Sequence, residues 1–271
     1  MATVDDVRKY WQEHPLLSYE LAQPGSKEFF EAFDRVKRED VEAFAQHFWQ
    51  FDQFRGQSVL DVGCGPGWLT VQYAQGGVNA YAIDLTPCAV SLTQSFLKLH
   101  GLSAVVTEGN AEQLPFADNF FDLVVASGVL HHTPDTSRAI RECYRVLKPG
   151  GHAKLTFYYK GMLHSTLVFP LTRLTMRLAR VKHPGADLAK TATNPDDFIR
   201  QYDGALNPVG VGHTIADWTR LLREGGFVVE RHEIHFFPRR FIPFQRMIPR
   251  FVHRLLDRTI GTMVYFDLRK T

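Results

Sequence analysis

Apolar side chains recur every three or four positions early in the chain: Phe29, Phe30, Phe33 and Val36, then Val41, Phe44, Ala45 and Phe48, with charges between them. That period predicts amphipathic helices within residues 3–50. Pro15 and the turn Pro24-Gly25-Ser26 punctuate the stretch, and Ser26 is suited to cap the helix that follows. From residue 57 the rhythm becomes strand, turn, helix. Ser58–Val62 is a short apolar run entering a glycine cluster, and Leu69–Ala74 reads as helix. Val78–Ile83 is a second strand ending at Asp84, after which Thr86 and Pro87 fit the N-cap and first residue of a helix to about His100. Ala104–Val106 is a third strand. Phe120–Ala126 is a fourth, apolar on both faces as a strand covered on each side should be. A helix over Asp135–Leu147 stops at Lys148-Pro149-Gly150-Gly151, and His152–Tyr159 follows as a fifth strand.

Strands alternating with helices predict an α/β fold with a doubly wound, mostly parallel sheet. Right-handed crossovers then bring the strands' C-terminal ends to one rim, where such sheets bind ligands. After Lys160 the alternation lapses for about fifty residues. It resumes with a helix over Ile215–Arg223, the Gly225-Gly226 stop, a strand over Phe227–Phe237 and a last strand over Thr262–Leu268. The segments 161–212 and 238–258 are expected to lie over the rim as a cap.

Composition adds bounds. A chain of 271 residues that is 45% hydrophobic and 22% charged can bury a sizeable core and is not disordered. Its longest apolar runs fall short of the ~20 residues a membrane span needs. The charged start MATVDDVRKYW lacks a signal peptide's apolar segment, so a cytoplasmic location is expected. Cys64, Cys88 and Cys143 form no CxxC pair and read as reduced thiols, and no metal site is expected. Nothing in the pattern fixes an oligomeric state.

Charge is unevenly spread. Residues 1–150 hold 12 Lys/Arg against 19 Asp/Glu, and residues 151–271 hold 19 against 10. In the second half, Leu167, Leu171, Leu174, Leu178 and Val181 repeat at helical spacing beside Arg173, Arg177, Arg180 and Lys182. Arg246, Arg250, Arg254 and Arg258 form a ridge opposite Met247, Ile248, Phe251, Val252, Leu255 and Leu256, with Pro243 and Pro249 dividing the segment and Pro249 opening the last helix. Three readings stand: apolar stripes packed on the sheet with arginines in water, contact with an anionic membrane or a lipid-like acceptor, or RNA or another polyanion. The last is disfavoured because no aromatic stacking platform accompanies the arginines.

The candidate chemistry lies in Val59-Leu60-Asp61-Val62-Gly63-Cys64-Gly65-Pro66-Gly67-Trp68. Glycines between strand and helix allow a tight turn and close ligand approach. A nicotinamide fingerprint needs glycine where Trp68 stands, which disfavours an oxidoreductase. The acid two residues before the first glycine would be misplaced beside a pyrophosphate but suits a cation, such as the ammonium and sulfonium of S-adenosylmethionine. Asp84, nineteen residues past Gly65, fits the acid that takes ribose hydroxyls.

With VLDVGCGPG, AIDLT, GNAEQLPFADNFFDLVVASGVLHHTPD and AIRECYRVLKPGGH, residues 57–160 resemble the class I, Rossmann-like S-adenosylmethionine-dependent methyltransferases of small molecules. The resemblance implies a seven-stranded sheet whose last strand is antiparallel, in three parts: 1–50 a helical extension or lid, 51–160 the cofactor core, 161–271 acceptor cap and last strands. It assigns Asp61, Gly63, Gly65 and Gly67 to the methionine moiety, Asp84 and Leu85 to ribose and adenine, and Asn110, Ala111 and Glu112 to the adenine edge, with Ser127 nearby. Asn110 stands where aspartate is usual; its carbonyl can still accept. Tyr10 and Trp11 resemble an aromatic pair folded over the cofactor, and otherwise are packing aromatics.

His131 and His132, just past the fourth strand, are the candidate general bases, since a neutral imidazole can take a proton from an acceptor hydroxyl or amine. The alternative is that the pair shapes the pocket and transfer relies on positioning alone. Tyr202 and His213, in the polar stretch Tyr202-Asp203-Gly204 to His213, are candidates for reading the acceptor, or connect two helices. The expected activity is methyl transfer to O, N or C of a small, hydrophobic or lipid-like molecule. The alternatives are a polyanion methyltransferase and a non-catalytic protein that binds the cofactor.

Overall fold

The computed structural model describes residues 2–16, 21–165, 167–178, 192–237 and 248–271. Eight strands form one sheet: β1 Ser58–Val62, β2 Asn79–Asp84, β3 Val105–Glu108, β4 Phe121–Ala126, β5 Leu147–Tyr159, β6 Gly212–His213, β7 Val228–His235 and β8 Met263–Arg269. The main path is β3-β2-β1-β4-β5-β8-β7, parallel except that β8 runs antiparallel to both β5 and β7. The chain leaves β1 toward β2 and β3, then returns to β4 on the other side, so strand order reverses between β1 and β4.

Helices cover both faces. On one side lie α2 Lys27–Val36, α3 Ala45–Trp49, α4 Trp68–Gln75 and α5 Pro87–Leu99. Phe29, Phe30, Phe33, Phe48 and Trp49 pack there with Val59, Leu123, Val125 and Tyr265 in one core. The second stretch of the N-terminal extension is therefore built into the sheet's own core, while the first, α1 Val4–Glu13, lies against α5. On the other face, α6 Thr136–Val146 and α9 Ile215–Glu224 bury Ile140, Cys143, Trp218 and Leu222 against Leu60, Val124 and Leu155. Local chemistry sets the helix starts: the side chains of Ser26, Thr86 and Asp135 accept from backbone N–H groups of the first turns, with Pro87 opening α5.

Four details differ from the sequence pattern. β6 adds an eighth strand; its two residues pair with Tyr158 and Tyr159, too short a run to register as alternation. Lys148-Pro149-Gly150-Gly151 does not break the chain before β5 but lies within it, where a register shift opposite Phe121 and Leu123 absorbs the irregularity. Residues Lys37–Val41 form a π-helical turn. Pro249 precedes rather than opens the last helix, α10 Arg250–Ile260.

The cap helices turn their stripes outward. α7 Phe169–Leu178 follows β5, and α8 Pro195–Arg200 precedes β6. Leu167, Leu171 and Leu174 are 91%, 58% and 51% exposed, and Phe251 and Leu255 on α10 are 68% and 64% exposed. These positions do not pack on the sheet, whereas Val252 and Leu256 of the same stripe are half-buried. Arg180, Val181, Lys182, Pro243, Arg246 and Met247 lie outside the described residues, as do the side chains of Arg177 and Leu178.

Candidate active site

A cleft opens where strand order reverses, the position at which such sheets bind ligands. Its walls come from the loop after β1 (Gly63, Gly65), the end of β2 (Asp84, Leu85), the turn after β3 (Asn110, Ala111) and the segment after β4 (Ser127 to Val129, His132, Thr133). Val7, Trp11 and Leu16 close it from the N-terminal segment.

The glycine loop is held by its backbone. Gly63 N–H and Cys64 N–H both donate to Ile83 O, at 2.7 and 3.1 Å. Gly63 and Gly67 adopt φ of +70° and +91°; a Cβ at Gly63 would enter the Val129 side chain, and one at Gly67 would meet Thr93. A Cβ at Gly65 would meet nothing within 4 Å, so this glycine leaves open space at the cleft wall. Gly67 lies at the start of α4, off that wall.

The two acids behave differently. Asp84 lines the cleft and accepts from Gly65 N–H at 3.0 Å and from Thr86 N–H and hydroxyl at 2.9 and 3.0 Å. It thus fastens the glycine loop to β2, and burial raises its pKa against these bonds. Asp61 is 3% exposed and lies behind the wall formed by Val62 and Gly63, accepting from the Thr70 hydroxyl at 2.6 Å. Burial pushes its carboxyl up to about 7, opposed chiefly by the Thr70 bonds. A desolvated carboxylate of this kind gains from a neighbouring cation, and a glycine-lined cleft gives a ligand backbone access. The donor set therefore fits a positively charged nucleoside ligand.

Other expected positions divide. Leu85, Asn110, Ala111 and Ser127 line the cleft. The Asn110 carbonyl expected to face adenine already accepts from Glu112 N–H at 2.9 Å, closing a local turn. Glu112 does not line the cleft; its carboxylate accepts from Asp135 N–H at 2.8 Å beside the start of α6.

The histidine pair splits as well. His131 is fully buried and off the cleft, packed on Tyr158 with ring centroids 4.0 Å apart, and its ring nitrogens have no hydrogen-bond partner among the described residues. Burial, then neighbouring His132, hold its pKa well below the imidazole range. His132 lines the cleft; its Nδ1 is 2.7 Å from Val209 O and its Nε2 3.1 Å from Asp203 Oδ2. Tyr158 donates its hydroxyl to the same Asp203 oxygen. Tyr10 is not on the wall, because its hydroxyl donates to Asp203 O at 2.6 Å; its neighbour Trp11 lines the cleft and meets the His132 ring edge-on at 5.1 Å. Tyr202 packs on Tyr158 and Phe236, and His213 on Trp218, both away from the cleft. Sequence reasoning singled out the loop but not Asp203 as the residue that reaches His132. The polar run Tyr202-Asp203-Gly204 was the signal available.

At the opposite rim, His152, Glu230 and Asp267 bring potential ligand atoms within 4.8 Å of one another, a cluster that sequence spacing does not reveal. Asp267 Oδ2 there already takes Lys154 Nζ and Arg231 Nε, each at 3.0 Å.

Motif, switch-point cleft and topology together mark the segment around the cleft as a methyltransferase domain of the class I, Rossmann-like, S-adenosylmethionine-dependent kind. The methyltransferase-domain family matches residues 60–155. A ubiquinone biosynthesis O-methyltransferase of Pseudomonas fluorescens is 38% identical over 100 residues, covering 35% of this chain and 42% of the relative. A ubiquinone/menaquinone biosynthesis C-methyltransferase of Vibrio cholerae is 34% identical over 124 residues, 44% of this chain and 46% of the relative. A 2-methyl-6-phytyl-1,4-hydroquinone methyltransferase of rice, Oryza sativa, is 36% identical over 177 residues, 64% of this chain and 48% of the relative. In each case the match spans less than half of the relative's own length. Two solved structures share the fold. One is a [4+2]-cyclase, SpnF (TM-score 0.61, 19% identity, 99% of this chain and 96% of that one). The other is a SAM-dependent methyltransferase of Methanosarcina mazei (TM-score 0.56, 21% identity, 85% and 98%).

Proposed function

We propose that the protein transfers a methyl group from S-adenosylmethionine to a small lipid-like acceptor of the prenylated hydroquinone type, in the cytoplasm. The observation that carries this reading is the cleft itself, with glycine loop, Asp84 and His132 on one wall. The names of the relatives support the acceptor class. The cofactor, when bound, supplies an electrophilic methyl on a sulfonium. Asp84 offers its carboxylate to the ribose hydroxyls, Asp61 adds negative charge from behind the Val62–Gly63 wall, Trp11 and Leu16 exclude water, and His132 takes the proton of an acceptor hydroxyl at Nε2 once that nitrogen is released from Asp203. His131, sealed in the core, shapes the wall.

The test is transfer of labelled methyl from S-adenosylmethionine to a prenylated hydroquinone, with His132→Ala beside the wild type. Labelled quinol ether and a loss of on the order of 100-fold in the variant are expected. Full turnover in the variant removes the base role. Cofactor binding without release of S-adenosylhomocysteine on prenylated hydroquinones leaves a protein that binds but does not transfer to this class.

A second reading concerns where the acceptor is met. Among the described residues no helix is long and apolar enough to cross a membrane. The outward Leu167, Leu171, Phe251 and Leu255, with Arg250, Arg254 and Arg258 on α10, favour contact with an anionic bilayer surface. Sedimentation with phosphatidylglycerol vesicles, weakened by salt, is expected; none at low salt removes this reading.

A further inference from the structure

The geometry points to Asp203 as a positioning residue that couples closure of the N-terminal helix over the cleft to the orientation of His132. This rests on the methyltransferase reading but concerns a different part of the machinery. Asp203 lies in the loop after α8 and uses its two ends separately. Its carboxylate faces inward, meeting His132 Nε2 at 3.1 Å and taking the Tyr158 hydroxyl. Its backbone carbonyl faces α1 and takes the Tyr10 hydroxyl at 2.6 Å. One residue therefore touches both the candidate base and the helix whose Val7 and Trp11 close the cleft.

The surroundings make the coupling stiff. Gly204 has φ +137°, and a Cβ there would run into the Tyr10 hydroxyl, so the loop can bring its carbonyl to Tyr10 only with glycine next in line. The same loop fixes the other ring nitrogen: Val209 O lies 2.7 Å from His132 Nδ1, and the buried Asn207 accepts from Val209 N–H at 3.3 Å. Val211 N–H donates to His131 O at 3.0 Å, which ties the loop to the histidine backbone. Both nitrogens of His132 thus face oxygens supplied by one loop, and both of these oxygens are acceptors. A shift of the loop moves Asp203 O and Asp203 Oδ2 together. When α1 lifts to admit a ligand and the Tyr10 bond opens, the strut that holds His132 loosens with it; when α1 closes, Asp203 sets the plane of the imidazole, and an incoming acceptor hydroxyl then takes the place of Asp203 at Nε2.

The test uses the whole chain with Tyr10→Phe, Asp203→Asn and Asp203→Ala, read first by ¹⁵N signals of the His132 ring and by calorimetry with S-adenosylmethionine. Tyr10→Phe keeps the aromatic ring and removes only the hydroxyl. Coupling predicts that it shifts the His132 Nε2 signal and weakens cofactor binding about two- to tenfold, one hydrogen bond's worth. Asp203→Asn keeps an acceptor oxygen at His132 but removes the charge. It is expected to lower kcat on a prenylated hydroquinone by on the order of tenfold while the cofactor Kd stays within about threefold, with Asp203→Ala worse on both counts. A merely structural role would move melting temperature and Kd but leave the kcat effect of Asp203→Asn absent. Unchanged His132 ring signals in Tyr10→Phe overturn the coupling, whatever the activity. A wild type that binds no S-adenosylmethionine defeats the functional reading instead, and the ring signals still decide the coupling.

Discussion

Helices α6 and α10 have eleven residues each and the same alternation of apolar and charged positions, yet they are used in opposite ways. α6 joins two parallel strands, so its apolar side must lie on the sheet, and Ala139, Ile140, Cys143 and Val146 are fully buried. α10 instead links the end of β7 to the start of β8 at the rim and is fastened by polar groups. Asp257 accepts from Phe237 N–H at 2.9 Å and lies 2.6 Å from His235 Nδ1, and His253 meets Phe237 O at 2.7 Å. Phe251 and Leu255 are left facing out, while Val252 and Leu256 are half-buried. A helical period establishes that a stripe exists; topology decides what covers it.

The comparison can be broken by mutation. The largest contrast should come from Ile140→Ala against Phe251→Ala in urea unfolding. The first leaves a cavity under the sheet and is expected to cost about 2–5 kcal/mol; the second removes an exposed side chain and should fall within about 0.5 kcal/mol. Equal losses would mean that α10 buries its stripe after all.

Next comes Asp61. Its folded pKa of about 7 lies above the ordinary carboxylate value, so the folded state holds the proton more tightly than the unfolded chain. This group's contribution therefore falls as pH rises from about 4 to 7 and is flat above, an effect of roughly 2–4 kcal/mol. Asp61→Asn should flatten that part of the stability–pH curve and stabilise the ligand-free protein at pH 8, while weakening cofactor binding. A wild-type slope in the variant would show that Asp61 is not the buried acid responsible.

A smaller loss, about 1–3 kcal/mol, is expected for Asp257→Ala, which strips the buried His235 of a partner. If thermal unfolding is unmoved, α10 is not held by its polar side. The smallest effect on stability belongs to Phe251→Ser with Leu255→Ser, which should leave unfolding nearly unchanged and abolish sedimentation with anionic vesicles.

The sequence was legible where chemistry is local. The glycine loop, Asp84 at the end of β2 and the Thr86-Pro87 helix start follow from short-range period or from turn residues, whereas the antiparallel direction of β8 was implied only by the family resemblance. What escaped depends on distant segments meeting. His132 and Asp203 are brought together by the cap loop, and no local rule links them. Glu112 was placed at the adenine edge by the family resemblance, whereas its partner is Asp135 N–H across a loop. Tyr10 and Trp11 are adjacent, and only the orientation of α1 determines that Trp11, not Tyr10, reaches the cleft.

The central claim is that carboxylates and glycines at the mouth of β1 hold a positively charged sulfur nucleoside. Calorimetric titration of the whole chain with S-adenosylmethionine tests it most directly. The account predicts one site, weakened by about 1–3 kcal/mol in Asp61→Ala and in Asp84→Ala. No binding by the wild type, or displacement of the ligand by a nicotinamide dinucleotide, would contradict it.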